Sequence, residues 1–193
     1  MKKPDTKHQI LAIAREIAAT DGIGAVSFDA IARRLGRSKQ AVLYWYPSKR
    51  ELLGALFLPW LEAEAEVALS ALRKSGGPTA AVAAFVRAVA LFHLSDLDRF
   101  RLMYLAPQVT RQGSGSTEGT RLATQVHPVT DRLYGAFAAH LGDAPAARRE
   151  AVAIHAAVLG QILMIALAEA LNDPLKHGSD DLVEALVATL TRG

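Results

Sequence analysis

Side chains that can bind a polar or anionic surface are concentrated between residues 37 and 49. Arg37 and Lys39 are positively charged hydrogen-bond donors, and the Gln40 amide is both a donor and an acceptor. Lys49 supplies a further positive charge at the end of the stretch. These groups can recognise a partner only if the backbone holds them on one surface, so the elements around them decide what they bind.

Two short helices are predicted to position these side chains. The first has an apolar face with hydrophobic residues at i, i+3, i+4 and i+7, namely Phe28, Ile31, Ala32 and Leu35. Gly36 follows at once, and glycine tolerates the left-handed conformation of a tight turn. Ser38 can cap a second helix, which runs to about Tyr46 because Pro47 stops it. Two short helices joined by a glycine-containing turn form the helix-turn-helix pattern.

Positive charge is concentrated at the same end of the chain. Residues 1–50 contain ten Lys and Arg against four Asp and Glu, whereas residues 51–193 contain twelve against fifteen. A basic segment on an otherwise mildly acidic chain favours a polyanionic partner at that end. A solvated charged surface would explain the charge alone, but charge together with a helix-turn-helix favours the polyanion.

Composition excludes several other kinds of chemistry. The chain has 193 residues, of which 51% are hydrophobic and 6% aromatic, and this favours an all-helical protein with a sizeable core. It has no cysteine, so disulfides, thiolate chemistry and cysteine-ligated zinc are excluded. We find no glycine-rich phosphate loop, HExxH motif or convincing carboxylate pair, so we do not expect an enzyme. The start, MKKPDTKHQ, lacks the apolar segment of a signal peptide, and a cytoplasmic location is expected.

Hydrophobic periodicity and capping signals predict helices along the whole chain. Thr6 and Gln9 form a capping box for a first helix, and Ser48 and Glu51 form another for a long helix. Pro59 lies inside that long helix and predicts a kink or a break. The remaining helices are predicted at about residues 79–94, 95–107, 120–141, 145–171 and 179–191.

The predicted organisation is all-α with two domains. A three-helix helix-turn-helix domain at residues 1–50 is followed by a larger helical domain at residues 51–193, and the helix at residues 48–74 links them. Residues 108–119 are polar and rich in glycine and serine, and form the most loop-like segment. Ser179 is expected to cap the last helix.

The helix at residues 145–171 is almost continuously apolar over residues 154–171. Its length approaches that of a membrane span, but His155, Gln161 and Glu169 interrupt it and no charged flank supports insertion. A helix that is hydrophobic all round is otherwise buried on every side. A wholly intramolecular core would require one chain to cover both faces, so we expect a homodimer and no membrane insertion. The interface is predicted on this helix and the last one, at Val158, Gly160, Leu182, Leu186 and Leu190.

The N-terminal residues resemble the signature of the TetR family of bacterial transcriptional regulators. The matching residues are Ala25 to Ala32 (AVSFDAIA), then Leu35-Gly36-x-Ser38-Lys39, then Tyr44-x-Tyr46-Pro47-Ser48-Lys49-x-x-Leu52-Leu53. The rest of the chain matches only in the number and lengths of its helices. The resemblance implies all-helical homodimers in which a helix-turn-helix binds double-stranded DNA. It also implies a C-terminal domain that dimerises and binds a small-molecule effector, which lowers DNA affinity by moving the two reading heads apart.

The second helix of a helix-turn-helix enters the major groove of DNA. Gln40 can pair with adenine through two hydrogen bonds, and Arg37 or Lys39 can donate to guanine. Ser27 at a helix N-terminus suits a phosphate. Lys49 opposes the dipole of its helix, and a phosphate partner would explain its position.

Many TetR-family members carry tyrosine where this chain has Leu43. Helical geometry turns Val42, Leu43 and Tyr46 inward and Tyr44 outward, so Tyr44 is expected to contact the DNA backbone and Leu43 to join the core. Trp45 suits packing and DNA contact equally. The complete predicted DNA-binding set is Ser27, Arg37, Ser38, Lys39, Gln40, Ala41, Tyr44, Trp45 and Lys49.

The effector site implied by the resemblance is expected among polar and aromatic side chains embedded in apolar helices. The candidates are Phe85, His93, Phe100, Met103, Tyr104, Tyr134, His155 and Gln161. His93 and His155 are preferred, although each residue of this set also suits an ordinary core. His127 and Asp131 have a metal-compatible spacing, but two ligands do not make a site, so no metal or other cofactor is expected.

The predicted function is a ligand-responsive regulator, most simply a repressor that binds a palindromic operator as a homodimer. Two other classes of protein fit the same composition. One is a small helical enzyme, and the other is a helical ligand-carrier or interaction protein whose basic end is incidental. Sequence-specific, salt-sensitive DNA binding separates the regulator from both.

Overall fold

The computed structural model describes residues 5–105, 117–142, 145–172 and 175–192. Every regular element in these ranges is helical, which confirms the all-α fold class. The α-helices of the described ranges are α1 (Thr6–Asp21), α2 (Phe28–Leu35), α3 (Lys39–Trp45), α4 (Lys49–Leu72), α5 (Pro78–Leu94), α6 (Leu97–Phe100), α7 (Thr117–Leu141), α8 (Ala147–Ala170) and α9 (Ser179–Leu190). A 3₁₀ turn (Ile23–Ala25) follows α1, and a π-helical turn (Arg101–Leu105) continues α6.

The chain forms two compact units. The first comprises Met1–Trp60 and Phe100–Val126, and the second comprises Leu61–Arg99 and His127–Gly193. Helix α4 contributes residues to both units, so the division lies inside a helix and ten residues beyond the change of charge at residue 50. No linker composition marks this division, because the chain stays helical through it.

The first helices begin at polar caps. Asp5 accepts a hydrogen bond from the Lys7 N–H at 3.3 Å, so α1 is capped by Asp5 and the predicted cap, Thr6, is its first helical residue. Ser27 and Ser38 cap α2 and α3, each accepting from the N–H three residues further on, at 3.1 and 3.3 Å respectively. Caps of this kind stabilise a helix by about 1 kcal/mol each.

A common core holds α1, α2 and α3 together with the start of α4. Gly36 ends α2 with φ of 66°, the left-handed conformation that the tight turn into α3 requires. Val42 of α3 and Tyr46 at its C-cap are buried as predicted, whereas Leu43 is only half-buried because it lies between the inward and outward faces. The buried residues of this core are Ile10, Ala14, Ile17, Ala18, Val26, Ile31, Ala32, Val42, Tyr46, Leu52 and Leu56.

In the second unit, α5 packs against α8 and α9, and α8 also contacts α9. One face of α8 is buried along its whole length, at Ala147, Ala151, Ile154, His155, Val158, Ile162, Ile165 and Ala166. Val158 is completely buried. Its predicted place in a dimer interface is therefore wrong, because its spacing from Ile154 and Ile162 turns it into the core of its own unit.

The other face of α8 leaves large apolar side chains in solvent. We call Val152, Leu163, Met164, Leu167 and Leu171 the exposed apolar stripe; their exposed fractions range from 39% to 67%. Gly160 is exposed on the same helix, and a Cβ added there would meet no atom within 4 Å. Leu182, Leu186 and Leu190 of α9 are half-buried. One chain therefore covers only one face of α8.

Among the described helices, α8 alone is by itself long and apolar enough to cross a membrane, with a mean hydropathy of 2.2. Helix α5 and the segment Leu97–Tyr104 meet the same criterion only as a pair, and the chain bends by 101° between them. Part of α8 is packed within its own unit, as in the core helix of a globular domain.

Three smaller predictions can be compared with the described helices. Helix α4 continues through Pro59, so of the predicted kink or break the break does not occur, and the kink stays a prediction. Gly178 occupies the cap position of α9, and Ser179 is its first helical residue, so the prediction that Ser179 caps this helix is wrong. Residues 108–116 of the predicted loop lie outside the described residues, and residues 117–119 belong to α7.

Candidate nucleic-acid interface and buried polar cluster

The start of α3 presents hydrogen-bonding side chains to solvent. Arg37, Ser38, Lys39 and Gln40 are exposed, and Ala41 is half-buried. The Ser38 cap fixes the first turn of α3, so these side chains project from a defined backbone. Because the major groove of B-DNA admits one α-helix, this turn can approach the base edges without rearrangement of the core.

Two aromatic side chains lie at the other end of α3. Tyr44 is 79% exposed, and Trp45 is 38% exposed. Their rings meet edge to face with centroids 5.3 Å apart. Tyr44 thus projects outward as predicted, and its hydroxyl can donate to a phosphate oxygen. Trp45 is partly covered, in keeping with both roles considered for it.

Ser27 and Lys49 lie at the N-termini of α2 and α4. Ser27 Oγ accepts the N–H of Ala30 at 3.1 Å, and its hydroxyl proton can still be donated to an anion. Lys49 is the first residue of α4 and is half-buried, and the preceding Ser48 accepts the N–H of Glu51 at 3.2 Å. Helix N-termini favour negative charge, so both residues stand at positions suited to a phosphate.

Acidic residues hold two basic side chains of the first unit. Arg34 donates to Glu16 at 3.1 Å and to Asp21 at 2.9 Å, which ties α2 to α1. Lys39 Nζ lies 2.8 Å from Asp29 Oδ2, which ties α3 to α2. Arg34 is therefore engaged in ion pairs within the fold, and Lys39 already has an anionic partner in the free protein.

A comparison with family models identifies this part of the chain. Residues 10–56 match the model described as bacterial regulatory proteins, tetR family. The matched residues begin in α1, include α2 and α3 and end in α4. Residues 10–56 are therefore similar to the TetR family of bacterial regulatory proteins. This match supports a DNA-binding transcription regulator with a helix-turn-helix. No curated protein matches the sequence.

Solved structures with the same fold span nearly the whole chain. A transcriptional regulator from Rhodococcus sp. RHA1 is 20% identical, with a TM-score of 0.69 and coverage of 98% of this chain and 97% of its own. A regulator of the TetR/AcrR family from Thermobifida fusca YX-ER1 is 22% identical, with a TM-score of 0.60 and 98% coverage of both chains. The regulator FadR from Bacillus subtilis, solved with stearoyl-CoA, is 13% identical, with a TM-score of 0.68 and coverage of 96% and 98%. At these identities the likeness establishes the fold.

The second unit contains a buried polar cluster around Glu64, which we call the Glu64 cluster. Glu64 Oε1 lies 2.7 Å from His155 Nε2, and Glu64 Oε2 lies 3.4 Å from His93 Nε2. The Tyr134 hydroxyl lies 2.9 Å from His155 Nδ1. The carboxylate is fully buried, and it joins α4 to α5 and α8. Tyr134 is half-buried and extends the hydrogen bonds to α7.

The partners of Glu64 determine its protonation. Burial alone would raise the pKa of this carboxyl group, but hydrogen bonds from His155 and His93, together with their charge, lower its pKa to about 2. Burial raises the pKa of Tyr134, and the nearby Glu64 charge raises it further. Glu64 is therefore an anion at neutral pH, and Tyr134 keeps its proton.

The Glu64 cluster unites part of the predicted effector set. Phe85 lies edge to face with His155 at 5.5 Å and stacks on Phe137 at 4.1 Å, between ring centroids. The remaining candidates lie elsewhere. Phe100, Met103 and Tyr104 belong to the first unit, and Gln161 donates to the carbonyl oxygen of Leu182 at 2.6 Å.

The described part of the chain contains no group of side chains arranged as a metal-binding site. No group of three or more His, Cys, Asp or Glu side chains there could hold a metal ion. In the Glu64 cluster the two imidazoles face different oxygens of the carboxylate. Asp131, which has a metal-compatible spacing from His127, is engaged in an ion pair with Arg148.

Proposed function

We propose that the protein is a homodimeric repressor that binds a palindromic operator and is released from it by a small-molecule effector. The DNA-binding part of this proposal rests on one observation, that α3 has one buried face and one exposed polar face. Val42 and Tyr46 anchor the helix in the core, while Arg37, Gln40 and Tyr44 remain exposed for a partner. A rigid helix with one polar face outward is what base recognition in the major groove requires.

Within the proposed interface, the residues divide into two kinds of contact. Gln40 reads adenine, and Arg37 or Lys39 reads guanine, while Ala41 approaches a thymine methyl. Backbone phosphates are contacted from three elements, by Ser27, Tyr44 and Lys49. Ser38 and Trp45 flank these contacts and complete the set.

The homodimer is proposed on the exposed apolar stripe of α8 together with α9. Contiguous exposed apolar surface of this kind is typical of an interaction site. Gly160 leaves room for a second helix to approach, and Leu182, Leu186 and Leu190 can be covered further. A two-fold axis between identical chains would place two copies of α3 on the half-sites of a palindrome.

The effector is proposed to bind the second unit beside the Glu64 cluster. FadR from Bacillus subtilis shares the fold and was solved with stearoyl-CoA, which supports a small-molecule site in this chain. Tyr134 is the half-buried end of the hydrogen-bond chain through His155, and Phe85 and His93 complete the proposed contacts. Phe100, Met103, Tyr104 and Gln161 remain as more distant candidates.

Replacing Gln40 by alanine tests the reading of bases. We expect Gln40→Ala to lose about tenfold in affinity for the operator and to relax the base preference at one position of each half-site, because a two-bond contact to adenine is removed. The measurement is a binding selection from random-sequence DNA with the wild-type and variant proteins. An unchanged preference at every position would show that Gln40 does not read a base.

Replacing Lys49 by alanine tests the proposed phosphate contact. We expect Lys49→Ala to weaken binding to all duplexes alike and to reduce the slope of log K against log salt by about 1, because one phosphate contact is lost. Titrations of the operator and of a shuffled duplex over a salt series measure both quantities. A changed base preference with an unchanged slope would reverse the roles assigned to Lys49 and Gln40.

A further inference from the structure

We infer that Asp29 competes with DNA for Lys39 and so sets how well the protein distinguishes its operator from other DNA. The inference rests on the proposed function, because it takes Lys39 as a DNA contact. It gives a role to an acidic residue that does not belong to the predicted DNA-binding set.

The ion pair between Asp29 and Lys39 joins the two helices of the helix-turn-helix. Lys39 Nζ lies 2.8 Å from Asp29 Oδ2, with 49% and 63% of the two side chains exposed, respectively. Asp29 lies in the first turn of α2, and Lys39 is the first residue of α3. The pair is therefore at the surface, where a third charged group can reach it.

Helix electrostatics explains why this pair forms in the free protein. A carboxylate is favoured in the first turn of a helix, whereas an ammonium group is disfavoured there. Asp29 suits its position in α2, but Lys39 suits its position in α3 only when an anion compensates its charge. Asp29 supplies that anion in the free protein, and a DNA phosphate or the acceptor atoms of guanine can supply it in a complex.

The exchange of partners has different consequences for the operator and for other DNA. On the operator, base contacts hold α3 in the groove, and Lys39 leaves Asp29 to bind DNA. On other DNA those base contacts are missing, and Lys39 stays with Asp29. Without the carboxylate, operator binding gains the whole cost of separating the pair. Other DNA gains only a cationic contact, which is weaker than the ion pair because Lys39 otherwise stays with Asp29. Asp29 therefore weakens binding to the operator more than binding to incorrect sites, and it reduces the discrimination between them.

Replacing Asp29 by asparagine tests this inference. The probes are the operator selected by the wild-type protein from random DNA and a shuffled duplex of the same length, each titrated over a series of KCl concentrations. For Asp29→Asn we expect affinity for the operator to rise by about threefold and affinity for the shuffled duplex to rise by less than that. The slope of log K against log salt should steepen by about 0.9 on the shuffled duplex and stay unchanged on the operator.

Two variants separate the local exchange from a general change of charge. Asp21→Asn adds the same charge to the same unit, but the partner of Asp21 is Arg34, at 2.9 Å. It should affect both duplexes equally and leave their affinity ratio unchanged. In a Lys39→Gln background, Asp29→Asn should leave the salt slope on the shuffled duplex unchanged, because the released lysine is absent.

Two results would overturn the inference. Weaker binding of Asp29→Asn to both duplexes would mean that Asp29 positions Lys39 for DNA. Equal effects of Asp29→Asn and Asp21→Asn would mean that only long-range charge is involved. A wild-type protein that selects no DNA sequence would instead contradict the proposed function, whatever Asp29 does.

Discussion

Replacing Glu64 by glutamine is expected to lower the free energy of unfolding by about 3 to 5 kcal/mol at pH 7. The carboxylate is fully buried, accepts a hydrogen bond from His155 at 2.7 Å and lies 3.4 Å from His93 Nε2, so that it interacts with imidazoles on two other helices. The neutral amide leaves these buried imidazoles without their charged acceptor. Denaturant unfolding of the two proteins at equal concentration measures the difference.

The same variant has a defined pH dependence. The pKa of Glu64 is lowered from 4.5 to about 2 on folding, so the unfolded chain binds the proton more tightly between these values. The stabilisation from this carboxylate is complete above about pH 5, on the order of 3 kcal/mol, and is lost as the pH falls through 4.5 towards 2. Wild type and Glu64→Gln should therefore differ most at neutral pH and converge in acid.

Glu66→Gln is the matched control for Glu64→Gln. Glu66 lies two residues further along α4, and it pairs with Arg132 at 2.9 Å with 54% of its side chain exposed. An exposed pair contributes less than about 1 kcal/mol, so this variant should unfold almost like the wild type. Equal small losses for both variants, or a difference that does not change with pH, would contradict the role assigned to the Glu64 cluster.

Replacing Leu167 by arginine is expected to dissociate the homodimer and to weaken operator binding by more than about a hundredfold, since an unpaired charge would be buried in the interface. Leu167 lies in the exposed apolar stripe of α8 and is 48% exposed in the single chain. The arginine is therefore tolerated by the fold and disfavoured only by a partner. Sedimentation equilibrium and operator titration of the same preparation measure the two effects.

Two further arginine variants control for this experiment. Ala139→Arg adds the same side chain at an exposed position of α7, outside the stripe, and should remain dimeric. Val158→Arg should instead unfold the second unit, because Val158 is completely buried there. If Leu167→Arg remains folded and dimeric, the interface lies on another surface.

Local signals explain why the helix-turn-helix could be predicted from sequence. The apolar spacing of α2, the left-handed Gly36 and the Ser38 cap act within a few residues of one another, and they lie where predicted. The sequence predicts Thr6 as the first cap because serine, threonine and aspartate are all favoured at the start of a helix. In the structure the Asp5 side chain accepts the capping hydrogen bond instead.

The buried face of α8 could not be predicted in the same way. A helix that is apolar all round carries no polar face from which to tell inside from outside. Val158 was therefore assigned to the partner surface, although the structure buries it and exposes Met164 and Leu167 instead. Packing against α5 and α9 decides which face is covered, and this packing is not a local property of the sequence.

Glu64 was missed for a related reason. Its partners lie on α5 and α8, far away in sequence, and within the acidic run of α4 it resembles an ordinary surface residue. A local signal did exist, because Glu64 is three residues after Leu61 and four before Ala68, both of which are buried. A carboxylate in register with a buried apolar face predicts a buried partner.

The most direct test of the central claim, that α3 reads a palindromic operator, is a selection of bound sequences from random DNA with the full-length protein. We expect an inverted repeat with half-sites about one helical turn or more apart, bound by two chains with an affinity that falls steeply with salt. Gln40→Ala, assayed in parallel, should enrich a repeat that is degenerate at one position of each half-site. Failure of the wild-type protein to enrich any sequence would contradict the assignment of α3 as the DNA-reading helix. The assignment would also be contradicted if a variant with Arg37, Gln40 and Tyr44 all replaced by alanine enriched the same repeat as the wild type.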